Sequence, residues 1–383
     1  MNTGPFIAVL PRWPQLGFTL TVRPSVVVFG RRFHSVRACG VAGIVLATAL
    51  AATLIGVAGL SFGVAAGLLA SGLATFFVLA MATKLLTGNE TLIYYHHEIA
   101  ILLVTAAVLG AWGRPVLPYL DLTALWLGVF LSCGRGGCLA VGCCHGRPHH
   151  WGVRYSEAHA AEGFPAAYVG VRLFPVQALE ALIVTAIVVA GAVLFIQGHP
   201  AGTVLSTYVV TYSTARIGLE ELRGDSVRPY WRGFSEGQWT SLALIAGVLL
   251  GEWQGRLPFS AWHGGLGAVA VLAMLWLAAA RRRQRGAVHP RHAFELAAIL
   301  GTLSAAQPGL SVRRTSQTVG VSTQPLDAQA VLYSLSRVDR EMSANEARAI
   351  SRLILNLACL RGRPELRQGG HSVFHLIVRD ARR

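Results

Sequence analysis

Residues 41–83 run for 43 positions without one Asp, Glu, Lys, Arg, His, Cys or Tyr. A stretch of that length with nothing to ionise must be kept from water, and one helix needs roughly 20 apolar residues to cross a bilayer. Two membrane spans are therefore expected here. The composition agrees, because charged residues make up 13% and apolar residues 53% of the chain, against about 25% charged in soluble domains.

Further apolar runs at 99–113 and 122–134 are separated by Arg114 and Pro115, a turn that ends one helix and aims the next. Both runs are short for lipid-facing helices, so each is expected to extend into a polar flank shielded by protein. Residues 135–172 break the hydropathy pattern with Gly, Pro, His and Arg, and are expected to form a small extramembrane cap with a strand at 151–155. Four more apolar runs, at 174–195, 198–215, 239–251 and 257–280, follow. The last is closed by Arg281, Arg282, Arg283 and Arg285. The fold class expected is an all-α polytopic membrane protein of seven or eight transmembrane helices, with the cap and a C-terminal soluble appendage. The expected divisions are an N-terminal segment (1–40), a transmembrane domain (41–280) and a basic C-terminal region (281–383). In the last of these, Ala347, Ile350, Leu353, Ile354 and Leu357 recur at three- and four-residue steps, which predicts a helix over 343–360.

The formal charge is +15, from 33 Lys+Arg against 18 Asp+Glu. All the basic residues except Lys84 are Arg, and the chain is rich in Ala and Gly, so the excess reads as compositional bias and no nucleic-acid partner is expected. Residues 281–383 carry 17 Arg against 7 Asp+Glu, a distribution suited to anionic lipid headgroups. Arg12, Arg23, Arg31, Arg32 and Arg37 precede the first span without a short apolar core and a small-residue cleavage site, so no cleaved signal peptide is expected.

Charged residues within membrane segments cost roughly 2.5 to 3.5 kcal/mol on insertion scales, so each asks for a reason. Arg216, Glu220 and Arg223 are spaced i, i+4 and i+7, which puts them on one face of a helix continuing from the 198–215 run. Glu220 can pair with either guanidinium, leaving one free to grip an anion such as a lipid phosphate. Arg135 is a second candidate, set among Gly134, Gly136 and Gly137, which would let the backbone turn sharply towards a ligand. The plainer alternative is that such arginines snorkel to the interface. His96, His97 and Glu98 precede the third span, where a neutral His is a candidate proton acceptor or part of a headgroup-level belt. Cys138, Cys143 and Cys144, with His145, His149 and His150, invite a metal or nucleophilic-thiol reading. Yet they form one crowded segment without the two separated pairs of a zinc module, so no metal is expected.

Four ordered motifs resemble the prolipoprotein diacylglyceryl transferase family over about residues 29–251. They are Gly134-Arg135-Gly136-Gly137-Cys138 with Gly142-Cys143-Cys144-His145-Gly146; Phe174-Pro175-Val176-Gln177 with Glu180; Arg216, Glu220 and Arg223 with Asp225; and Ser235-Glu236-Gly237-Gln238. The resemblance implies a multi-pass enzyme of the bacterial plasma (inner) membrane that moves the diacylglyceryl group of phosphatidylglycerol onto the lipobox Cys thiol of a preprolipoprotein. Its implied partners are phosphatidylglycerol, preprolipoproteins and membrane lipids, with no cofactor. By position, it implies that Arg135, Arg216 and Arg223 hold the phosphate, that Glu220 orients the arginines, that Gly142 and Gly146 shape the loop, and that His96 is the base. His97 and Glu98 stand where the family has Gly-Gly. That departure favours the alternative of a non-catalytic phospholipid-binding or transport protein on the same scaffold.

Overall fold

The computed structural model of the chain describes residues 7–9, 19–28, 30–88, 94–226, 228–284, 289–305, 311–327, 330–360, 363–370 and 372–379. Arg12 and Arg285 lie outside the described residues. Four short strands come first: β1 (Ile7–Val9), β2 (Thr19–Thr21), β3 (Ser25–Val28) and β4 (Arg31–His34). The 41–83 stretch becomes α1 (Ser35–Ala58) and α2 (Phe62–Thr87), broken where Gly59 caps the first helix and the Ser61 hydroxyl accepts from Val64 N–H. Helices α3 (Tyr94–Ala111) and α4 (Val116–Val141) follow. The cap holds β5 (Pro148–Arg154), the short α5 (Glu157–Ala160) and β6 (Arg172–Leu173). Next come α6 (Val176–Ile196), α7 (Thr203–Leu222), the hairpin β7 (Tyr230–Trp231) and β8 (Phe234–Ser235), then α8 (Glu236–Trp253) and α9 (Ala261–Gln284).

Among the described residues, α1, α2, α4, α6 and α9 are long and apolar enough to cross a membrane, and α3 has a shorter apolar run. The chain is a multi-pass membrane protein. Helix α7 is buried along most of its length by α4, α6, α8 and α9, so its polar residues face protein instead of lipid. Small residues permit this close wrapping. A Cβ on Gly128 would stand 2.5 Å from Val188 Cγ2 and 2.8 Å from Tyr208 Cε2, and one on Gly191 would stand 2.8 Å from Leu125 Cδ2. The buried carboxylate of Asp121 on α4 also pins α7, accepting from Gly202 N–H and Leu205 N–H at 2.7 Å each, at donors a helix start leaves unpaired.

The expected end of the fourth span is corrected. Helix α4 runs past Gly134 to Val141, so Arg135 and Cys138 stand on its last turns and not in a loop. The glycines around Arg135 serve packing there: a Cβ on Gly137 would lie 3.0 Å from Val36 Cα of α1.

The all-α expectation is also corrected. Beyond α9 the chain forms α10 (Pro290–Ala305), β9 (Arg313–Arg314), β10 (Val319–Asp327), β11 (Ala330–Arg337), α11 (Ala344–Leu357), β12 (Arg363–Gly370) and β13 (Val373–Arg379). The strands form an antiparallel sheet in the order β1-β12-β13-β11-β10-β9. The period-two burial of Phe374, Leu376 and Val378 is the strand signal. The expected 343–360 helix is present as α11, with Ser343 Oγ accepting from Glu346 N–H. The expected strand at 151–155 overlaps β5 over 151–154, and β5 pairs with β2 and β6. One apolar core joins cap to appendage, with Val153, Tyr155, Phe164 and Tyr168 packed among Leu296, Ile350 and Ile354.

The close approach at Gly128 makes a direct prediction. Gly128→Leu should lower stability by about 1–3 kcal/mol through overpacking, read as a lower thermal midpoint in detergent. Gly110→Ala, where nothing lies within 4 Å of the added carbon, should leave the midpoint in place.

Candidate functional site

Helices α1 and α2 pack against α4 and α3 respectively but scarcely touch each other. The space between them is part of a cavity of about 950 Å³. Its long apolar end is lined by residues such as Ala51, Ile55, Phe62, Leu69, Ile101 and Trp126. Its polar end carries Arg135, Arg216, Glu220, Arg223 and Arg228, with Cys138, Cys143 and Cys144 beside them.

Three helices assemble that polar end. Glu180, from the first turns of α6, accepts from Arg216 Nη1 of α7 at 2.8 Å, and its other oxygen lies 2.8 Å from Arg135 Nε of α4. Tyr212 Oη donates to the same carboxylate at 2.8 Å. One turn further along α7, Glu220 Oε1 lies 2.6 Å from Arg216 Nη2 and 3.4 Å from Arg223 Nη1. Arg228 reaches the second oxygen of Glu220, and its Nε lies 3.0 Å from Asp225. Arg223 makes a two-pronged contact to Asp225, at 3.1 and 3.0 Å. Four guanidinium groups meet three carboxylates, which leaves one positive charge in the cluster. Arg135, Arg216 and Arg223 are only 6%, 6% and 7% exposed, so these are not snorkelling side chains.

The spacing argument holds for Arg216 and Glu220 but not for Arg223. Helix α7 ends at Leu222, and Arg223 is its extended C-cap residue. It is held by a backbone bridge to Gly146, with Arg147 N–H donating to Leu222 O at 3.0 Å and Gly224 N–H to His145 O at 2.9 Å. Burial works against the charge on Arg223, which is offset by its contacts to Asp225 and Glu220.

Gly142 and Gly146 do shape the loop. Gly142 caps α4 at φ 88°, and a Cβ on Gly146 would stand 2.1 Å from Phe174 O. The Gln177 side chain donates to Cys143 O at 2.9 Å, tying the same turn to α6.

His96 is placed differently from expectation. Its side chain is 45% exposed, its Nε2 lies 2.6 Å from Glu236 Oε1, and it is not among the cavity-lining residues. His97, 3% exposed, and Glu98 line the cavity instead, because successive helical residues point about 100° apart. His97 packs 4.8 Å from Phe76, ring to ring. In the 145–150 segment, His145 sits edge-on to Phe164 and Tyr168, and His149 Nδ1 lies 3.1 Å from Trp151 O.

Glu180, Asp225 and Arg228 were not among the expected site residues. Glu180 carried a signal, as the one acidic residue in the 176–196 run. Arg228 carried none, because only the turn after α7 brings it back to Glu220.

Fold and site together define a multi-pass helical membrane protein whose helices enclose an arginine-lined, largely apolar cavity. Residues 95–254 match the family model described as prolipoprotein diacylglyceryl transferase. Over 114 residues it is 31% identical to the phosphatidylglycerol–prolipoprotein diacylglyceryl transferase of Clostridium tetani, covering 29% of this chain and 43% of that protein. Over 148 residues it is 33% identical to the phosphatidylglycerol–prolipoprotein diacylglyceryl transferase 2 of Clostridium perfringens, covering 35% of this chain and 51% of that protein. The matches thus span about half the length of these curated relatives.

The ion-pair cluster makes a stability prediction. Glu180→Ala leaves two buried guanidinium groups without their shared partner and should cost about 3–5 kcal/mol. Glu236→Ala, which breaks only the exposed pair with His96, should cost no more than about 1 kcal/mol. Thermal unfolding of the two variants in detergent checks the contrast.

Proposed function

We propose that the protein transfers the diacylglyceryl group of phosphatidylglycerol to the lipobox Cys thiol of a preprolipoprotein, in a bacterial plasma membrane. The observation that carries this reading is a pair of donors at the polar end of the cavity. Arg216 Nε and Arg228 Nη2 are buried, belong to cavity-lining residues, and have no acceptor among the described residues. Buried donors without partners are costly, and a phosphate oxygen at this end would satisfy them.

In this reading the acyl chains enter through the cleft between α1 and α2 and lie along the apolar end. The headgroup phosphate meets Arg135, Arg216, Arg223 and Arg228, with Glu180 and Glu220 fixing the guanidinium planes. The incoming thiol loses its proton, its sulfur attacks the glyceryl carbon next to the phosphate ester, and the C–O bond breaks. Its electron pair leaves with glycerol 1-phosphate. Charge grows on the departing phosphate, where the arginines stabilise it more strongly than in the ground state. His97 has the cavity-facing position from which a proton could be taken, and His96 acts from outside, through its pair with Glu236. Eight crossings are proposed, with α7 shielded by protein, and the 281–383 region, whose sheet takes β1 as an edge strand, is proposed as a unit docked on the cap.

Arg216→Ala should lower transfer to a lipobox peptide in phosphatidylglycerol vesicles at least about 100-fold, the scale expected for a lost transition-state contact. His97→Ala should lower it more than His96→Ala. Glycerol phosphate release is the readout, together with complementation of a transferase-depleted strain. Retained phospholipid without release would favour the non-catalytic lipid-binding alternative.

A further inference from the structure

The linear spacing of Cys138, Cys143 and Cys144 does not resemble a metal module, but the fold changes that picture. Cys138 is on the last turn of α4, Gly142 caps the helix, and the chain doubles back so that the three sulfurs lie within 4.8 Å of one another. A zinc–sulfur bond of about 2.3 Å requires sulfurs about 3.8 Å apart in a tetrahedral site and about 4.0 Å apart in a trigonal one. Sulfurs already this close need only small side-chain adjustments to share one ion.

Two independent features support a built site. Cys144 adopts φ 52°, in the left-handed region that a side chain other than glycine seldom enters. Strain of this kind persists where surrounding structure enforces it, and here the enforcement is visible. The turn is tied by Gly142 N–H to Cys138 O, by the Gln177 amide to Cys143 O and by Gly224 N–H to His145 O, each at 2.9 Å. Charge is the second feature. Three thiolates on a divalent cation carry one net negative charge, and the buried Arg135 and Arg223 line the same end of the cavity as Cys144.

We propose that Cys138, Cys143 and Cys144 form a three-thiolate site for one zinc ion, with the fourth coordination position facing the cavity that all three residues line. Three protein ligands and one open position is the pattern of a site that accepts an exchangeable ligand. Ligation releases the thiol protons to solvent, and a water or an incoming thiol fills the fourth place. Only the identification of that ligand with the lipobox thiol rests on the transferase reading. The ion site itself does not.

The test uses the full chain in detergent, purified under reducing, anaerobic conditions. About one zinc per chain is expected by elemental analysis. Replacement by Co2+ should give a near-ultraviolet sulfur-to-metal charge-transfer band. Cys138→Ser, Cys143→Ser and Cys144→Ser should each weaken Zn2+ binding by at least roughly tenfold, the least that loss of even an outer-shell partner costs, while Cys359→Ser leaves it unchanged. Protein without zinc and without the cobalt band would overturn the site, as would a disulfide among these three cysteines in the metal-free chain, or binding that survives all three substitutions. Transfer is assayed in parallel: transfer without metal removes the site and leaves the transferase reading standing, and metal without transfer does the reverse.

Discussion

A single buried carboxylate, Glu180, ties the molecule together. It stands on α6 and meets Arg135 of α4 and Arg216 of α7 at 2.8 Å each, so three helices are fixed by one charge. None of the three groups could be removed from water alone without a cost of several kcal/mol. Their mutual pairing lets four arginines gather at one end of the cavity. The cap loop is registered to the same point, because Arg223 is bridged to Gly146 and the CysCys turn is tied to Gln177 of α6. Helix packing, loop geometry and the electrostatics of the cavity are thus one arrangement.

The cavity joins two solvents of opposite character. Its apolar end lies between two helices that hardly touch, and its polar end is closed by ion pairs. An amphipathic ligand with chains and a phosphate, as proposed, would match both ends. In the proposed reading the net positive charge of the cluster would supply affinity for the phosphate, while the carboxylates keep the guanidinium planes in place before the ligand arrives. Such preorganisation is what electrostatic catalysis requires.

Much of this was legible in the sequence, for identifiable reasons. The 41–83 stretch forced two helices, and the i, i+4 step of Arg216 and Glu220 survived because α7 is regular up to Leu222. The step to Arg223 did not, because the helix ends one residue earlier and the backbone turns to meet the cap. His96 and His97 illustrate a limit of a different kind: adjacent helical residues differ in direction, and only packing decides which one faces the cavity. The sheet of the C-terminal region was missed because its strands, though seven to nine residues long in β10 to β13, are interspersed with Arg and Gly, and their apolar residues show their period of two only once burial is seen. Arg228 had no local pattern to betray it, and the crowding of Cys138, Cys143 and Cys144 was visible in the sequence while the convergence of their sulfurs is a product of folding.

The most direct measurement is native mass spectrometry of the detergent-solubilised chain, counting phosphatidylglycerol retained by the wild type and by a double variant, Arg216→Gln with Arg228→Gln. If the unpaired donors of those two side chains hold a lipid phosphate, the wild type carries one bound phosphatidylglycerol and the variant loses it while remaining folded. Equal retention by both proteins would contradict the arginine grip and with it the transferase reading.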